Sequence, residues 1–442
     1  MKKIKLYLIA AAATLMTAGA YAQNDDFEII FTDDGSQQEM INVPEALYLS
    51  EVDSLLQLYH TQLYLVEDDG CVSSNVNPDY TSEQIEERLR RMPTTIDMPY
   101  NPIVRQFIDR YVTRMRRSVS LMLGSSNFYM PIFEQALESY NVPIELKYLP
   151  VIESALNPKA VSRVGATGLW QFMLATGKQY GLRVNSLVDD RRDPIRSSYA
   201  AARLLRDLYH IFGDWTLAIA AYNCGPQNVN KAIRRSGGSR DYWTIYPYLP
   251  SETRGYVPAF IAANYVMTYY CDHNICPMLT NLPERTDTVV VNKNVAFSTL
   301  TRFCDIDINL LRELNPQYRR DLVNGLSEPS TIRMPVSAIN RFVEMEDSIM
   351  AYDATHHGKS SYVAVEDRSS KSSSGKSSTK KTTQSSAPQR SYATNRYGRN
   401  GRTATQPTNA GNASSGTSRY GKSAKYNSQS STGNKGKRGR RG

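Results

Sequence analysis

In the stretch VIESALNPKAVSRVGATGLWQF, residues 151–172, a single carboxylate stands among apolar neighbours. Leu146, Leu149, Glu153 and Leu156 fall at spacings of three, four and three, which on a helix puts them on one face. A carboxyl aimed where leucines point is desolvated, and desolvation disfavours its charged form, so its pKa rises. A carboxyl still protonated near neutral pH is what a general acid requires. The competing reading is a structural glutamate satisfied by a backbone amide or an arginine. The residues that follow favour chemistry. Ser162, Trp170 and Gln171 bring a hydroxyl, an indole and an amide into a short span, with Gly165 and Gly168 placed for close backbone approach. Further on, Tyr222 and Asn223 stand at the end of a helical pattern closed by Gly225-Pro226, and Tyr256 follows in LPSETRGYVPAF. A protonatable carboxylate among neutral hydrogen bonders and ring faces suits an uncharged, hydroxyl-rich ligand: a sugar. Trp170 reads equally as a packed core indole or as a platform for that sugar.

These residues need a helical frame. Asn141-Val142-Pro143 opens the helix carrying Glu153, since proline is tolerated in a first turn, and Asn157-Pro158 stops it. Apolar residues recur every three or four positions from NPIVRQFIDRYV through to Tyr270, which predicts an all-α domain over 99–282. A helical segment precedes it over 46–98, with leucine spacing from Ala46 and a capping-box pattern opening SEQIEERLRRM at Ser82. After Pro283 the texture changes. Thr288–Val291 reads as a strand, FSTLTRFC and DINLLRELN as short helices, and STIRMP as a second strand. That order predicts a small α/β module over 286–337, then a charged helix over 338–357 leading on as a linker. The fold class is therefore mainly α, with a small strand-helix-helix-strand module behind the helical domain.

The other acids in reach are Asp189, Asp190 and Asp193, in LVDDRRDPIRSSYAAARLL. Asp193-Pro194 has the form of a helix N-cap with proline at the first helical position. Arg191 and Arg192 offer ion pairing, so the structural reading leads over a catalytic base. Asp214 before Trp215 is likewise a cap.

The motif series also carries a resemblance. Glu153-Ser154 and Ala155 are followed by A-x-S-x-x-G-A-x-G-L-W-Q-F from Ala160, then by A-Y-N-x-G-P from Ala221 and E-T-R-x-Y-V-P from Glu252. In order and spacing this resembles the soluble-lytic-transglycosylase domain, most closely that of the D-type membrane-bound lytic murein transglycosylases. The resemblance implies a lysozyme-like α fold that cleaves peptidoglycan between N-acetylmuramic acid and N-acetylglucosamine. It implies Glu153 as the single acid/base. Ser162 would bond near the N-acetyl group, Gln171, Tyr222 and Asn223 would hold the sugar, and Tyr256 would orient Glu153. It also accounts for a missing partner. Glycosidases commonly pair two carboxylates roughly 5–5.5 or 6.5–9.5 Å apart, and Glu153 has no obvious second acid. In the family one suffices, because the sugar's own primary hydroxyl closes an anhydro ring and water is not the nucleophile. Cys224 departs from the small residue expected after Tyr-Asn. The module resembles a LysM domain, a peptidoglycan-glycan binder, through L-R-E-L-N-P and I-R-M-P. It lacks the Gly-Asp-Thr type of turn after the first strand and carries the insertion QYRRDLVNGLSEPS. Two alternatives stay open: a muramidase using one of the three aspartates as base, and a non-catalytic wall-binding protein.

The ends bound the setting. MKKIK, an apolar run of 15 residues and Ala20-Tyr21-Ala22 form a secretory signal over 1–22, too short for a spanning helix of roughly 20 residues. The expected location is the periplasm or cell envelope, with no transmembrane helix. Residues 23–45 read as an acidic, irregular linker. From Gly358 to the end the chain holds 18 Lys+Arg against two acids, whereas the whole chain is only +9, so residues 1–357 are net acidic. This Ser/Lys/Arg/Gly-rich tail cannot bury enough apolar surface to order itself. In an exported protein its partners would be envelope polyanions rather than nucleic acid, or it is a solvated spacer. Five cysteines leave at least one unpaired, and Cys271 and Cys276 are close enough in sequence to bridge. No metal and no cofactor are implied.

Overall fold

The computed structural model describes residues 28–32, 38–44, 71–283 and 285–357. The signal over 1–22, the leucine-spaced run from Ala46 and the basic tail over 358–442 lie outside the described residues.

The first described element corrects the sequence reading. Residues 23–45 are not irregular throughout: Glu28–Thr32 (β1) and Gln38–Asn42 (β2) pair antiparallel, with Glu28 opposite Asn42 and Thr32 opposite Gln38. The acidic composition hid a hairpin. At the end of β2 the chain enters the core, with Ile41 and Val43 each 1% exposed.

The helical region runs α1 (Ser82–Arg91), α2 (Pro102–Thr113), α3 (Arg116–Glu138), a 3₁₀ turn (Ile144–Tyr148), α4 (Leu149–Ser154), α5 (Leu174–Gln179), α6 (Pro194–Phe212), α7 (Trp215–Cys224), α8 (Pro226–Arg235), α9 (Tyr242–Ile245) and α10 (Ser251–Tyr269). The caps follow local chemistry. Thr81, one residue before the expected Ser82, is the N-cap of α1: its hydroxyl accepts from Gln84 N, and Gln84 Oε1 accepts from Thr81 N. Asn101, Asp193 and Asp214 cap α2, α6 and α7. Apolar almost all round, α10 lies inside the domain, with Phe260, Ala262, Ala263 and Val266 fully buried. The alanines of α6 and α7 (Ala200–Ala202, Ala218, Ala220, Ala221) let those two helices approach closely, and α7 packs in turn on α10. Gly255 of α10 receives β2: a Cβ there would lie 2.4 Å from Asn42 O.

The C-terminal module comprises β3 (Thr286–Val291), β4 (Asn294–Ala296), α11 (Phe297–Cys304), α12 (Ile308–Leu314), β5 (Leu322–Asn324), β6 (Ser330–Pro335) and α13 (Val336–His356). β3 pairs antiparallel with β6, and β4 with β5, so the insertion after α12 supplies a strand of its own. The helix read as a charged linker over 338–357 is instead part of the module. Ala338, Ile339, Phe342, Ile349 and Met350 of α13 join its core, and buried Asp353 accepts from Ala296 N and Thr299 Oγ1. Apolar residues at helical spacing, not the charges between them, decided its place. The cysteine expectation also shifts: Cys276 Sγ lies 3.1 Å from Cys71 Sγ, and no disulfide is formed among the described residues.

Candidate active site

Glu153 sits near the end of a helix shorter than its sequence implied. Pro150 has no N–H to donate, so the 3₁₀ turn ends and α4 begins around it. After Ser154 the backbone turns left-handed at Ala155 (φ 48°) and Leu156 (φ 62°), which stops the helix before Asn157-Pro158. Leu156 still reaches the core, by this turn rather than along a helix face. Ser154 Oγ donates to Pro150 O and Leu169 O, tying α4 to the loop that follows.

Glu153, Ser162, Gln171, Tyr222, Asn223 and Tyr256 line one cleft of about 190 Å³. Four separate chain segments meet there. The Tyr256 hydroxyl of α10 donates to Glu153 Oε1. Ser162 Oγ accepts from Ala166 N at 3.1 Å, which leaves its O–H to donate to a ligand. Gln171, at φ 46°, donates from Nε2 to Gly168 O at 2.8 Å, leaving its amide oxygen as an acceptor. Tyr222 donates to Trp170 O at 2.7 Å, and Asn223 Oδ1 accepts from Thr253 Oγ1 at 2.8 Å, leaving its NH₂ as donor.

Trp170 does not belong with them. Its indole is 0% exposed, packs edge-on against Phe133 at 5.2 Å between ring centroids and donates to Ser198 Oγ at 2.9 Å. A ring with no free face cannot stack on a sugar, so the core reading of Trp170 replaces the platform. Only its carbonyl serves the site, through Tyr222. Cys224 lies outside the cleft lining, half-buried against the core, where its small volume is accommodated.

Burial pushes the Glu153 carboxyl up to about 8; the Tyr256 hydrogen bond opposes this rise and the Glu252 charge adds to it. Burial, and then the neighbouring Glu153, hold the Tyr222 and Tyr256 phenols well above their ordinary range. Both remain donors at any pH where the protein is used. Of the lining residues that escaped the sequence reading, two bear on the chemistry and the frame of the site. Glu252, on the first turn of α10, is a second carboxylate on the cleft, and its place in E-T-R was the available signal. Pro44, beyond β2, had no signal, because nothing local foretells that an N-terminal strand docks on α10.

The aspartates lie elsewhere. Asp189 and Asp190 are 0% exposed. Asp189 binds Arg191 through two hydrogen bonds of 2.9 and 2.8 Å, and Asp190 pairs with Arg183 Nε at 2.8 Å. Burial alone would raise the Asp189 pKa, but the Arg191 hydrogen bonds and the charges of Arg191 and Arg319 outweigh it and hold it below the usual range. Asp193 accepts from Ile195 N and Arg196 N, each at 2.9 Å. None of the three lines the cleft.

The family model described as "Transglycosylase SLT domain" matches residues 130–245, which hold Glu153 and every cleft residue named above except Glu252, Tyr256 and Pro44. The chain carries a transglycosylase SLT domain. A second model, "Lytic transglycosylase MltD, LysM-like domain", matches residues 285–351, including most of α13. Over 242 residues the chain is 30% identical to membrane-bound lytic murein transglycosylase D of Escherichia coli (strain K12), and the two are homologous. The alignment covers 54% of this chain and 53% of that protein, so the chain spans about half the length of this relative. It is also 35% identical over 124 residues to the soluble lytic murein transglycosylase of Escherichia coli (strain K12), covering 27% of this chain and 19% of that one. The crystal structure of the 70 kDa soluble lytic transglycosylase from Escherichia coli aligns with 33% of this chain and 25% of its own at 31% identity, with a TM-score of 0.29. The SLT domain lies in the helical part of a mainly α protein, and the module behind it is LysM-like. No described helix is long and apolar enough to cross a membrane.

Proposed function

We propose that the protein is an exported peptidoglycan lytic transglycosylase that cuts the bond between N-acetylmuramic acid and N-acetylglucosamine and leaves anhydro-muramyl ends. The observation that carries this reading is Glu153, bonded to Tyr256 and pushed up to about 8 by burial, in a cleft whose other polar groups, Glu252 apart, are neutral. A carboxyl raised to about 8 holds its proton at neutral pH and gives it to the leaving glycosidic oxygen. As it becomes a carboxylate, the Tyr256 hydroxyl, already bonded to it, stabilises the new charge. Ser162 is placed to bond the N-acetyl group that assists at the anomeric carbon, while Gln171, Asn223 and Tyr222 hold the sugar. Glu153 then takes the proton of the sugar's primary hydroxyl, which closes the anhydro ring, and the acid is regenerated. One proton leaves Glu153 for the leaving oxygen and another returns to it from the primary hydroxyl, so no second catalytic carboxylate is needed. The paired and capping roles of Asp189, Asp190 and Asp193 remove the bases a water-using mechanism would have drawn on. The LysM-like module is read as a glycan binder, and the N-terminal signal as export to the periplasm or envelope.

Digestion of purified peptidoglycan followed by mass spectrometry of the new ends tests this. Anhydro-muramyl ends from the wild type, absent with Glu153→Gln, are expected. Reducing ends would make the protein a hydrolase and turn attention to Glu252. Intact glycan from both proteins, on a substrate that a known muramidase digests, would favour a wall-binding role.

A further inference from the structure

The insertion that separates the module from ordinary LysM spacing is where it meets the catalytic domain. Val188 and Tyr318 form an antiparallel bridge: Asp189 N donates to Gln317 O at 2.8 Å, and Arg319 N donates to Leu187 O at 2.9 Å. On the same side, Arg319 Nη2 reaches Asp189 Oδ2 at 3.3 Å, and Arg183 Nη1 reaches Glu328 at 2.7 Å. The contact continues inward. Asp189 holds the Arg191 guanidinium, whose Nη1 donates at 3.1 Å to both Gly165 O and Phe172 O. Those carbonyls belong to the loop over 160–173 that presents Ser162 and Gln171 to the cleft. The backbone packs as tightly as the side chains bond: a Cβ on Gly168 would lie 1.9 Å from Arg191 O, and φ +88° there already favours glycine. This loop has no regular secondary structure of its own beyond isolated bridges at Thr167, so its shape depends on such external ties.

We propose that the LysM-like module is a positioning element for the glycan cleft, acting from Arg319 and the Gln317–Arg319 backbone through Asp189 and Arg191 on the 160–173 loop. Arg319 is not among the residues that line the cleft, so its role is positional. Asp189 is doubly charge-paired for the same reason: one cation belongs to the loop side and one to the module. The module thereby shapes the site in addition to any glycan it holds, and the two functions separate by substrate length. A binder that only tethers the enzyme to the wall improves action on long strands and is irrelevant to a glycan too short to reach it. A positioning element matters equally for both.

The inference about turnover rests on the transglycosylase reading, whereas the structural tie does not, so the test has two arms on the full chain. Hydrogen–deuterium exchange compares wild type, Arg319→Ala and Arg319→Lys. The alanine variant is expected to exchange roughly three- to tenfold faster at the amides of residues 165–172, with lysine restoring much of the protection. Arg319 is 29% exposed, so its truncation leaves the core packed. Unchanged exchange in that loop would overturn the proposal. Turnover of a short soluble muroglycan and of whole peptidoglycan forms the second arm. Arg319→Ala should lower kcat by about the same factor, several-fold, on both substrates at an unchanged melting temperature. Loss confined to the long polymer would also overturn it, by showing a tether alone. Failure of the wild type to produce anhydro ends would sink the transglycosylase reading while leaving the exchange result to decide the tie.

Discussion

Asp189 is fully buried and Glu153 half-buried in the cleft wall, and the two carboxylates end in opposite protonation states. Asp189 lies between two guanidiniums, which hold it ionised below the ordinary carboxylate range despite full burial. Among the described residues Glu153 is bonded only to the Tyr256 hydroxyl, and it feels the like charge of Glu252, so burial prevails and lifts it to about 8. Burial sets the cost of charge, and the neighbours decide whether that cost is met. One group is thereby fixed as structure, and the other is left able to give up a proton.

The sharpest way to break this contrast is to remove the proton. Glu153→Gln should lower turnover by roughly a thousandfold or more, the scale of a lost general acid, in a peptidoglycan digestion assay. The same variant should gain stability at alkaline pH. Because the folded pKa of Glu153 lies above its ordinary 4.5, the wild type has its full stability below that value and loses part of it as pH climbs toward 8. Melting temperatures of the two proteins should therefore converge near pH 4 and diverge, with the glutamine form higher, above pH 8.

Asp189→Asn probes the other side. Leaving Arg191 and Arg319 without their buried anion should cost about 3 kcal/mol of stability, read as a lower urea midpoint. A loss under about 0.5 kcal/mol would mean the pair is no more than a surface contact. Tyr256→Phe should lower turnover about tenfold through loss of orientation. It should also move the alkaline limb of the pH profile upward, since the lost hydrogen bond was the group opposing the rise. Glu252→Gln should give the smallest effect. Removing a like charge lowers the Glu153 pKa, shifting that limb down by under about one unit, and added salt should shrink the difference.

How much of this was legible beforehand follows the range of the interactions. Helix caps at Asp193 and Asp214 and the stop at Gly225-Pro226 depend on adjacent residues and were readable. So was the apolar company of Glu153, because helix periodicity puts Leu146, Leu149 and Glu153 together even across the break at Pro150. Trp170 was undecidable, since an indole beside Gly168 suits a core or a cleft until Phe133 and Ser198 are seen around it. The acidic content of residues 23–45 masked a hairpin whose continuation reaches Gly255, and charges along α13 masked its buried stripe. The tie between Arg319 and Asp189 spans 130 positions, and no local pattern announces it.

The central claim is that Glu153 carries its proton at neutral pH, and carbon-13 NMR of side-chain-labelled glutamates, titrated from pH 4 to 10, reads it directly. The resonance absent from Glu153→Gln protein should titrate near 8. A midpoint between about 4 and 5, the range of an unperturbed glutamate, would contradict the account.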